Sequence, residues 1–280
     1  MIGPDFDHFC RLVMTRSGLV LGPDKAYLVQ SRLEPIARKH GLASATALLA
    51  ALRRGVSETL ITACVDAMAT HESLFFRDGS PFQQLADVIL PELCQARAPG
   101  MPIRIWSAAC SSGQEPYSVA MLLNEQAARL GGRRFEIVAT DMSAAIVERA
   151  KAGRYSDFEV QRGLSPERRD RWMRRSGQSW EVAPALREMV AFQRHNLLDG
   201  LPLGGPFDIV FCRNVLIYFD RAGKTRVLLE IRRALAPDGA LMLGSAETVI
   251  GLTTAFTLRP GSRGIYQPTA GARPPAAMSA

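Results

Sequence analysis

From Ile103 to Leu243, short apolar runs alternate with stretches long enough for helices, and this alternation limits the possible fold more than any other feature of the chain. Ile103-Arg-Ile-Trp-Ser-Ala-Ala109 reads as a strand. A small-residue loop follows, then a helix from about Glu115 to Leu130. Phe135–Asp141 is a second strand ending in an acid, and Ser143 stands where it caps the next helix. Phe207–Asn214 is another buried strand, followed by a helix through Arg232; Pro237-Asp-Gly239 turns into the strand Ala240–Gly244. Apolar strands separated by helices imply a parallel sheet covered on both faces. The stretch 176–195 interrupts the alternation. There Trp180-Glu-Val182 and Met189–Gln193 predict a small antiparallel β subdomain inserted as a hairpin.

The first third reads differently. Phe6, Phe9, Cys10 and Val13 recur at helical spacing, and Ser17-Gly18 ends that helix. Asp24 is placed to cap a second helix, inside which Pro35 is expected to kink or break the chain. Ser44 precedes Leu48, Leu49 and Leu52; Ser57 precedes Ile61, Cys64, Val65 and Met68. Short amphipathic helices of this kind predict a small helical bundle. Ser80-Pro81 then opens a linker helix, with Ser80 as the expected cap and Phe82, Leu85, Val88 and Ile89 as its buried stripe. The organisation expected is a helical domain over 1–78, a linker helix over 79–98, an α/β domain over 99–268 and a disordered tail over 269–280.

Composition narrows the class. The chain has 280 residues, 47% of them apolar, enough to bury a core without disulfides or metal. No apolar run reaches the roughly 18–20 residues of a spanning helix, and the first ten residues lack a secretory pattern, so no membrane insertion is expected. The five cysteines form no CxxC, and no His/Cys pair has metal-ligand spacing. A reducing, cytoplasmic setting without a zinc site follows. The net charge is +7 and uneven: residues 1–95 hold nine Lys and Arg against ten Asp and Glu. The excess lies beyond, notably at Arg162, Arg168, Arg169, Arg171, Arg174 and Arg175, which read as a solvated helix face. A basic balance admits nucleic acid, anionic membrane or an acidic protein as partner.

In open α/β sheets, ligands bind beyond the carboxyl ends of the strands. Four features fall there. The loop Ala109-Cys-Ser-Ser-Gly113 is small enough for close approach to its backbone, but it is not the GxGxxG that a dinucleotide phosphate requires. Asp141 can accept two ribose hydroxyls, or simply cap a helix. Asn196-Leu197 can serve an adenine edge and face, or form a plain turn. Arg213-Asn214 can hold an amino-acid moiety. Glu115, in the first turn of its helix, can take an ammonium, or be an acid favoured by the helix dipole. A nucleoside site without a phosphate loop suits S-adenosylmethionine.

At these residues the chain resembles the chemotaxis receptor methyltransferases, the CheR family of protein-glutamate O-methyltransferases. The resemblance is carried by Thr70-His-Glu-Ser-Leu-Phe-Phe-Arg77, Trp106-Ser-Ala-Ala-Cys-Ser-Ser-Gly-Gln-Glu-Pro-Tyr-Ser118, Ala139-Thr-Asp141, Asn196-Leu-Leu198 and Pro206–Phe219. Pro237-Asp-Gly239 and Gly264-Ile-Tyr266 continue it, from about residue 5 to 267. It implies a helical domain joined to a doubly wound, Rossmann-like methyltransferase domain with a small antiparallel subdomain. It implies S-adenosylmethionine as cofactor, contacted by His71, Ser73, Arg77, Glu115, Asp141, Asn196, Leu197, Arg213 and Asn214. Arg77 and Tyr218 are the implied catalytic pair. The family usually has Asn or another small polar residue at position 71 and Glu at position 114, where this chain has His and Gln.

The implied acceptor is a glutamate side chain of a chemoreceptor. It is already ionised at pH 7, so no general base is needed. Arg32, Arg38 and Lys39 fall where the family's receptor-facing basic helix lies, and the receptor's cytoplasmic helices are the implied partner. The short segment Arg174–Ala185 implies no gripping of a receptor pentapeptide tether. A monomer is expected. A nucleic-acid methyltransferase would carry Pro-Pro and an aromatic after Asn214, where Val-Leu-Ile-Tyr218 stands. A catalytically silent S-adenosylmethionine sensor or scaffold is the other alternative.

Overall fold

The computed structural model describes residues 2–200 and 205–270. The chain divides into two compact units. One comprises the chain through Thr70 together with Tyr218–Lys224; the other comprises His71–Ile217 and the chain from Thr225 onward. The boundary expected after residue 78 therefore falls eight residues earlier. The physical reason is local: the Phe76 N–H donates to Ser118 Oγ at 2.9 Å, and Arg213 donates to the Arg77 carbonyl at 2.8 Å, so this segment is tied to the sheet unit.

The first unit holds α1 (Pro4–Ser17), α2 (Ala26–Lys39), α3 (Ala45–Arg54) and α4 (Glu58–Met68). Phe6, Phe9, Val13, Val29, Leu33, Leu48, Leu49, Cys64 and Met68 fill its core. Gly18 closes α1 in the left-handed region (φ 74°). Ser44 and Ser57 cap α3 and α4 by accepting the N–H of Ala47 and Leu60. Two expectations are corrected. Asp24 lies within a 3-10 turn, Pro23–Lys25, and does not cap α2. Pro35 does not break α2, which continues to Lys39: Leu33 and Ala37, fully buried on either side, outweigh the one lost backbone bond.

Tyr218 belongs to this unit rather than to the sheet. Its carbonyl accepts the Val20 N–H at 2.9 Å, and Phe219 bridges to Leu19.

The second unit opens with α5 (Ser80–Gln84), a π-helical turn over Leu85–Ile89 and α6 (Leu90–Ala96). Ser80 is the first helical residue, not the cap; Gly79 precedes it, and Ser80 Oγ accepts from Gln84 Nε2 at 3.1 Å. There follow β1 (Ile103–Ala108), α7 (Gln114–Glu125), β2 (Phe135–Asp141), α8 (Ala144–Ala152), β3 (Arg154–Tyr155), α9 (Asp157–Gln161), α10 (Pro166–Trp172), β4 (Met173–Ser176), β5 (Ser179–Val182) and α11 (Pro184–Arg187). Then come β6 (Val190–Arg194), β7 (Phe207–Cys212), α12 (Arg221–Ala234), β8 (Leu235–Leu243), β9 (Phe256–Leu258) and β10 (Ile265–Pro268). The α7 helix ends at Glu125, short of the expected Leu130, because the chain turns there and reaches Gly131 and Gly132 at positive φ.

The main sheet has the order β6-β2-β1-β7-β8-β10-β9. Its first five strands are mutually parallel; β10 runs antiparallel to β8, and β9 antiparallel to β10. Chain order runs outward from β1 through β2 to β6 in one direction and from β7 to β8 in the other, so the topological switch point lies between β1 and β7. The fold is thus a doubly wound sheet, as expected. The small subdomain is real but differently made. It is the three-stranded antiparallel sheet β3-β5-β4, and Val190–Arg194 is not part of it. That segment pairs in parallel with β2, with Val190 and Phe192 buried. A five-residue apolar run does not reveal whether its partner is a neighbouring hairpin strand or a distant parallel one.

The arginine run is also more than a solvated face. Arg168 makes a bidentate pair with Glu125 (2.8–3.2 Å) while its guanidinium lies 3.8 Å from the Phe76 ring centre. Arg175 pairs with Asp157 and, with Arg169, flanks Trp180. Thr269 donates to Ala255 and Thr254 carbonyls, so the expected tail does not begin there; 271–280 lies outside the described residues. Among the described residues, no helix is long and apolar enough to cross a membrane, and no His/Cys/Asp/Glu cluster could hold a metal.

Candidate active site

The parallel strands end on one edge, and the chemistry-bearing side chains collect there. After β1 the loop Ala109–Gly113 takes positive φ at Ala109 (59°), Ser111 (52°) and Gly113 (93°). A Cβ at Gly113 would meet Ala150 and the Tyr155 hydroxyl at about 3 Å, so glycine is required there. The strain turns backbone N–H groups toward Asp141. Its Oδ2 accepts from Ser111 N at 2.9 Å and its Oδ1 from Ser143 N at 3.1 Å. Ser143 sits at the cap position of α8, but its side chain makes no cap bond; Asp141 uses its N–H instead. Burial pushes the Asp141 carboxyl up, while the Ser143 bond, the charge of nearby His71 and further backbone bonds pull it down.

Glu115, in the first turn of α7, is the second buried acid. Ser107 Oγ donates to its Oε1 at 2.8 Å and Arg213 Nη1 to its Oε2 at 3.1 Å. Burial raises its carboxyl, and the Arg213 charge opposes this. Both terminal amino groups of Arg213 bond protein groups. Besides Glu115, it donates to the Arg77 carbonyl (2.8 Å) and to Asp78 Oδ2 (2.7 Å). Its guanidinium thereby fastens the His71–Asp78 segment to the strand ends, while its Nε is buried without a partner among the described residues.

That segment is held at further points. Arg162 pairs with Glu72 at 3.0 Å, and Phe75 meets Tyr155 edge to face. Gly163 (φ 103°) passes so close that a Cβ would lie 1.9 Å from the Phe75 carbonyl oxygen. Arg77 donates to the Glu72 carbonyl at 3.3 Å, and Ser73 is half-buried. Asn196, following β6, accepts the Leu198 N–H at 3.1 Å in a tight turn, and Leu197 beside it is buried. Asn214 follows β7 in the left-handed region (φ 58°). Of the three basic residues proposed for substrate, Arg32 is engaged inside its own unit. It donates to the carbonyls of Ala67, Met68 and Ala69 (2.7–3.2 Å) and to Thr70 Oγ1, at the carboxyl end of α4. Arg38 is exposed, 3.9 Å from Glu34, and Lys39 is exposed.

Several residues escaped the sequence reading. Ser107 and Ser118 bond Glu115 and the Phe76 N–H. Glu247 accepts backbone N–H groups of Asn214–Ile217 and Gly244. Ser111 Oγ is buried without a partner among the described residues. The only sequence signal for Glu247 is an acid three residues beyond the glycine that ends a strand.

Two buried carboxylates and an unpartnered hydroxyl on one strand edge, with no phosphate loop among the described residues, form an acceptor set for a ligand that offers hydroxyls and a positive charge. The sequence of this edge decides between families. Residues 71–265 match the family described as CheR methyltransferase, SAM binding domain, and residues 4–69 match CheR methyltransferase, all-alpha domain. The chain belongs to the CheR methyltransferase family. It is 44% identical over 257 residues to a chemotaxis protein methyltransferase of Vibrio parahaemolyticus, covering 91% of this chain and 92% of the relative. It is 44% identical to chemotaxis protein methyltransferase 1 of Pseudomonas aeruginosa over 268 residues, 93% and 96% of the two chains. A chemotaxis protein methyltransferase of Salmonella typhimurium is 34% identical over 259 residues, 91% and 87%.

The cofactor of this CheR domain is S-adenosylmethionine, and the residues fit it. Each Asp141 oxygen keeps a lone pair after accepting one N–H, which suits ribose hydroxyls. Glu115 supplies buried negative charge for an ammonium. No thiol on this edge is a nucleophile: burial drives Cys110 and Cys212 well above the usual range, which keeps them protonated. Burial likewise lowers the His195 imidazole.

Proposed function

We propose that this CheR family member transfers a methyl group from S-adenosylmethionine to glutamate side-chain carboxylates of chemoreceptors, forming methyl esters. The coarser activity, S-adenosylmethionine-dependent methylation in chemotaxis, follows from the family and from relatives at 44% identity. The observation that supports the finer reading is that the two buried acids of this edge are already bonded within the protein, Asp141 by the Ser111 and Ser143 N–H groups and Glu115 by Ser107 and Arg213, rather than held ready to take a proton from an acceptor. A glutamate is ionised at neutral pH and needs no base, whereas an alcohol or amide acceptor would.

S-adenosylmethionine supplies an electrophilic methyl on a sulfonium. The protein's part is to position both partners, which is worth at most roughly 7–11 kcal/mol. Asp141 holds hydroxyls, Asn196 and Leu197 the base, and Glu115 with Asn214 the amino-acid end; His71 and Ser73 flank them. Arg213 acts through the Arg77 carbonyl and Asp78. Arg77 and Tyr218 are the catalytic candidates, by resemblance to the family. Arg38 and Lys39 meet the acidic receptor helices, with Arg32 holding α4. The two-residue connection Gly177-Gln178 between β4 and β5 supports a receptor contact without a pentapeptide tether. The protein works in the cytoplasm as a monomer.

The test is methyl transfer from radiolabelled S-adenosylmethionine to membranes containing the organism's chemoreceptors, with Arg77→Ala as control. Base-labile label on receptor bands, lost in the control, is the expected result. Base-stable label would assign a different acceptor group. Cofactor binding without any label would favour the sensor reading.

A further inference from the structure

Four consecutive backbone N–H groups, those of Asn214, Val215, Leu216 and Ile217, converge on one carboxylate from the far side of the next strand. Glu247 Oε2 accepts from Asn214 at 2.7 Å and from Gly244 at 2.8 Å. Its Oε1 accepts from Val215 (2.9 Å), Leu216 (2.7 Å) and Ile217 (3.3 Å). Successive N–H groups pointing into one concavity form an anion-binding nest, here filled by a side chain of the same chain. The residue is 8% exposed, so water does not replace these bonds readily.

The position of this nest matters more than its strength. It begins at Asn214, the first residue after Arg213 on the edge that collects the cofactor groups. Asn214 stands at φ 58°, in the left-handed region that asparagine enters more readily than most side-chain-bearing residues but that still needs support from its surroundings to be held. The bonds to Glu247 span 30–33 residues, so local sequence does not impose it. The fit is tight on the other side as well. A Cβ on Gly244 would lie 2.7 Å from Glu247 Oε2 and 2.9 Å from both the backbone and the side-chain nitrogen of Asn214.

We propose that Glu247 is a positioning residue for methyl transfer, setting the turn that presents Asn214 to the cofactor and carries the chain on to Tyr218. It touches neither cofactor nor substrate. An ionised carboxylate accepts on both oxygens, and no other side chain does so at this length. Glutamine keeps the shape but turns an NH2 toward one of the two groups of N–H donors. The inference rests on the reading that Asn214 lines the cofactor site.

The experiment uses the full-length protein and three variants: Glu247→Gln, Gly244→Ala and, as a stability control, Asp208→Asn. Asp208 accepts from Arg97 and from the Arg104 N–H at the opposite end of the sheet, away from the cofactor edge. S-adenosylhomocysteine affinity is measured by calorimetry, kcat and the KM values by methyl transfer, and folding by thermal melts. The parent binding S-adenosylhomocysteine is checked first; a parent that does not bind overturns the site reading and the inference with it.

Expected is a cooperative melt for Glu247→Gln with kcat lower by about ten-fold or more and weaker cofactor affinity, since an ~1 Å misplacement can cost roughly 100-fold. Gly244→Ala, which keeps the carboxylate but pushes it from Asn214, shows the same pattern and decides the matter if Glu247→Gln does not fold. Asp208→Asn lowers the melting temperature with kcat and affinity unchanged. Folded Glu247→Gln or Gly244→Ala with kcat and affinity within about two-fold of the parent, the scatter of an unrelated surface change, overturns the proposal. So does an Asp208→Asn that loses activity in step with them.

Discussion

Arg213 and Glu115 meet across the switch point of the sheet, one from the end of β7 and the other from the helix that follows β1. Nη1 donates to Oε2 at 3.1 Å, and the arginine side chain is 1% exposed. The second amino group reaches the Arg77 carbonyl and Asp78. One buried cation therefore compensates an acid of the proposed cofactor site and fastens the segment bearing Arg77.

Removing it leaves Glu115 as an uncompensated buried charge. Arg213→Met is expected to lose about 3–5 kcal/mol in urea unfolding. Arg213→Met with Glu115→Met is expected to lose less than the sum of the two single changes, because the pair is removed together. Simple additivity would show that the two residues do not interact energetically.

The raised Glu115 carboxyl has a signed consequence for stability. Its folded pKa lies above the unfolded value. Its contribution is therefore fully present below the unfolded pKa and is lost as pH rises through the folded one. Melting temperatures of the parent and Glu115→Gln, taken from about pH 4.5 to 7 in the absence of cofactor, should diverge so that the variant gains on the parent as pH rises. The opposite trend would mean that Arg213 overcompensates burial. Cofactor affinity should fall in the variant.

Gly163 packs its α-carbon against the Phe75 carbonyl, where a Cβ would stand 1.9 Å away. Its φ of 103° adds strain for any other residue. Gly163→Ala is expected to cost at least about 1–3 kcal/mol. Because Phe75 lies two residues before Arg77, methyl transfer should fall as well. Urea unfolding and initial rates on one preparation check both; an alanine variant with parental stability would show that the two segments separate at little cost.

The basic residues of α2 should separate into two kinds. Arg32 bonds three carbonyls and Thr70 Oγ1 at the end of α4. Arg32→Ala is expected to lower stability by about 1–3 kcal/mol, the cost of a lost charge-assisted bond. Arg38→Glu with Lys39→Glu should leave the melting temperature within a degree or two, since exposed charges contribute about 0–1 kcal/mol. It should raise KM for receptor and leave KM for S-adenosylmethionine unchanged. An unchanged receptor KM would place the receptor surface elsewhere.

The sequence by itself determined the fold class, the family and the long, strongly patterned elements. Hydrophobic periodicity is local, so α1 through α4, β1, β2 and β7 were legible from spacing alone. The acids at Asp141 and Glu115 were legible because chemistry at strand ends follows from the winding of the sheet. Tertiary structure decided what depends on partners far away in the chain. Val190–Arg194 looked like a hairpin strand until β2 was seen beside it. Nothing local shows that several donors of Arg32 and Arg213 bond carbonyls and acids 35 to 136 residues distant. Glu247 carried little signal beyond its spacing from Gly244, since its five partners are backbone groups that no side-chain pattern marks. A side chain's type is written locally, but which donors and acceptors it finds depends on the packing of the whole fold.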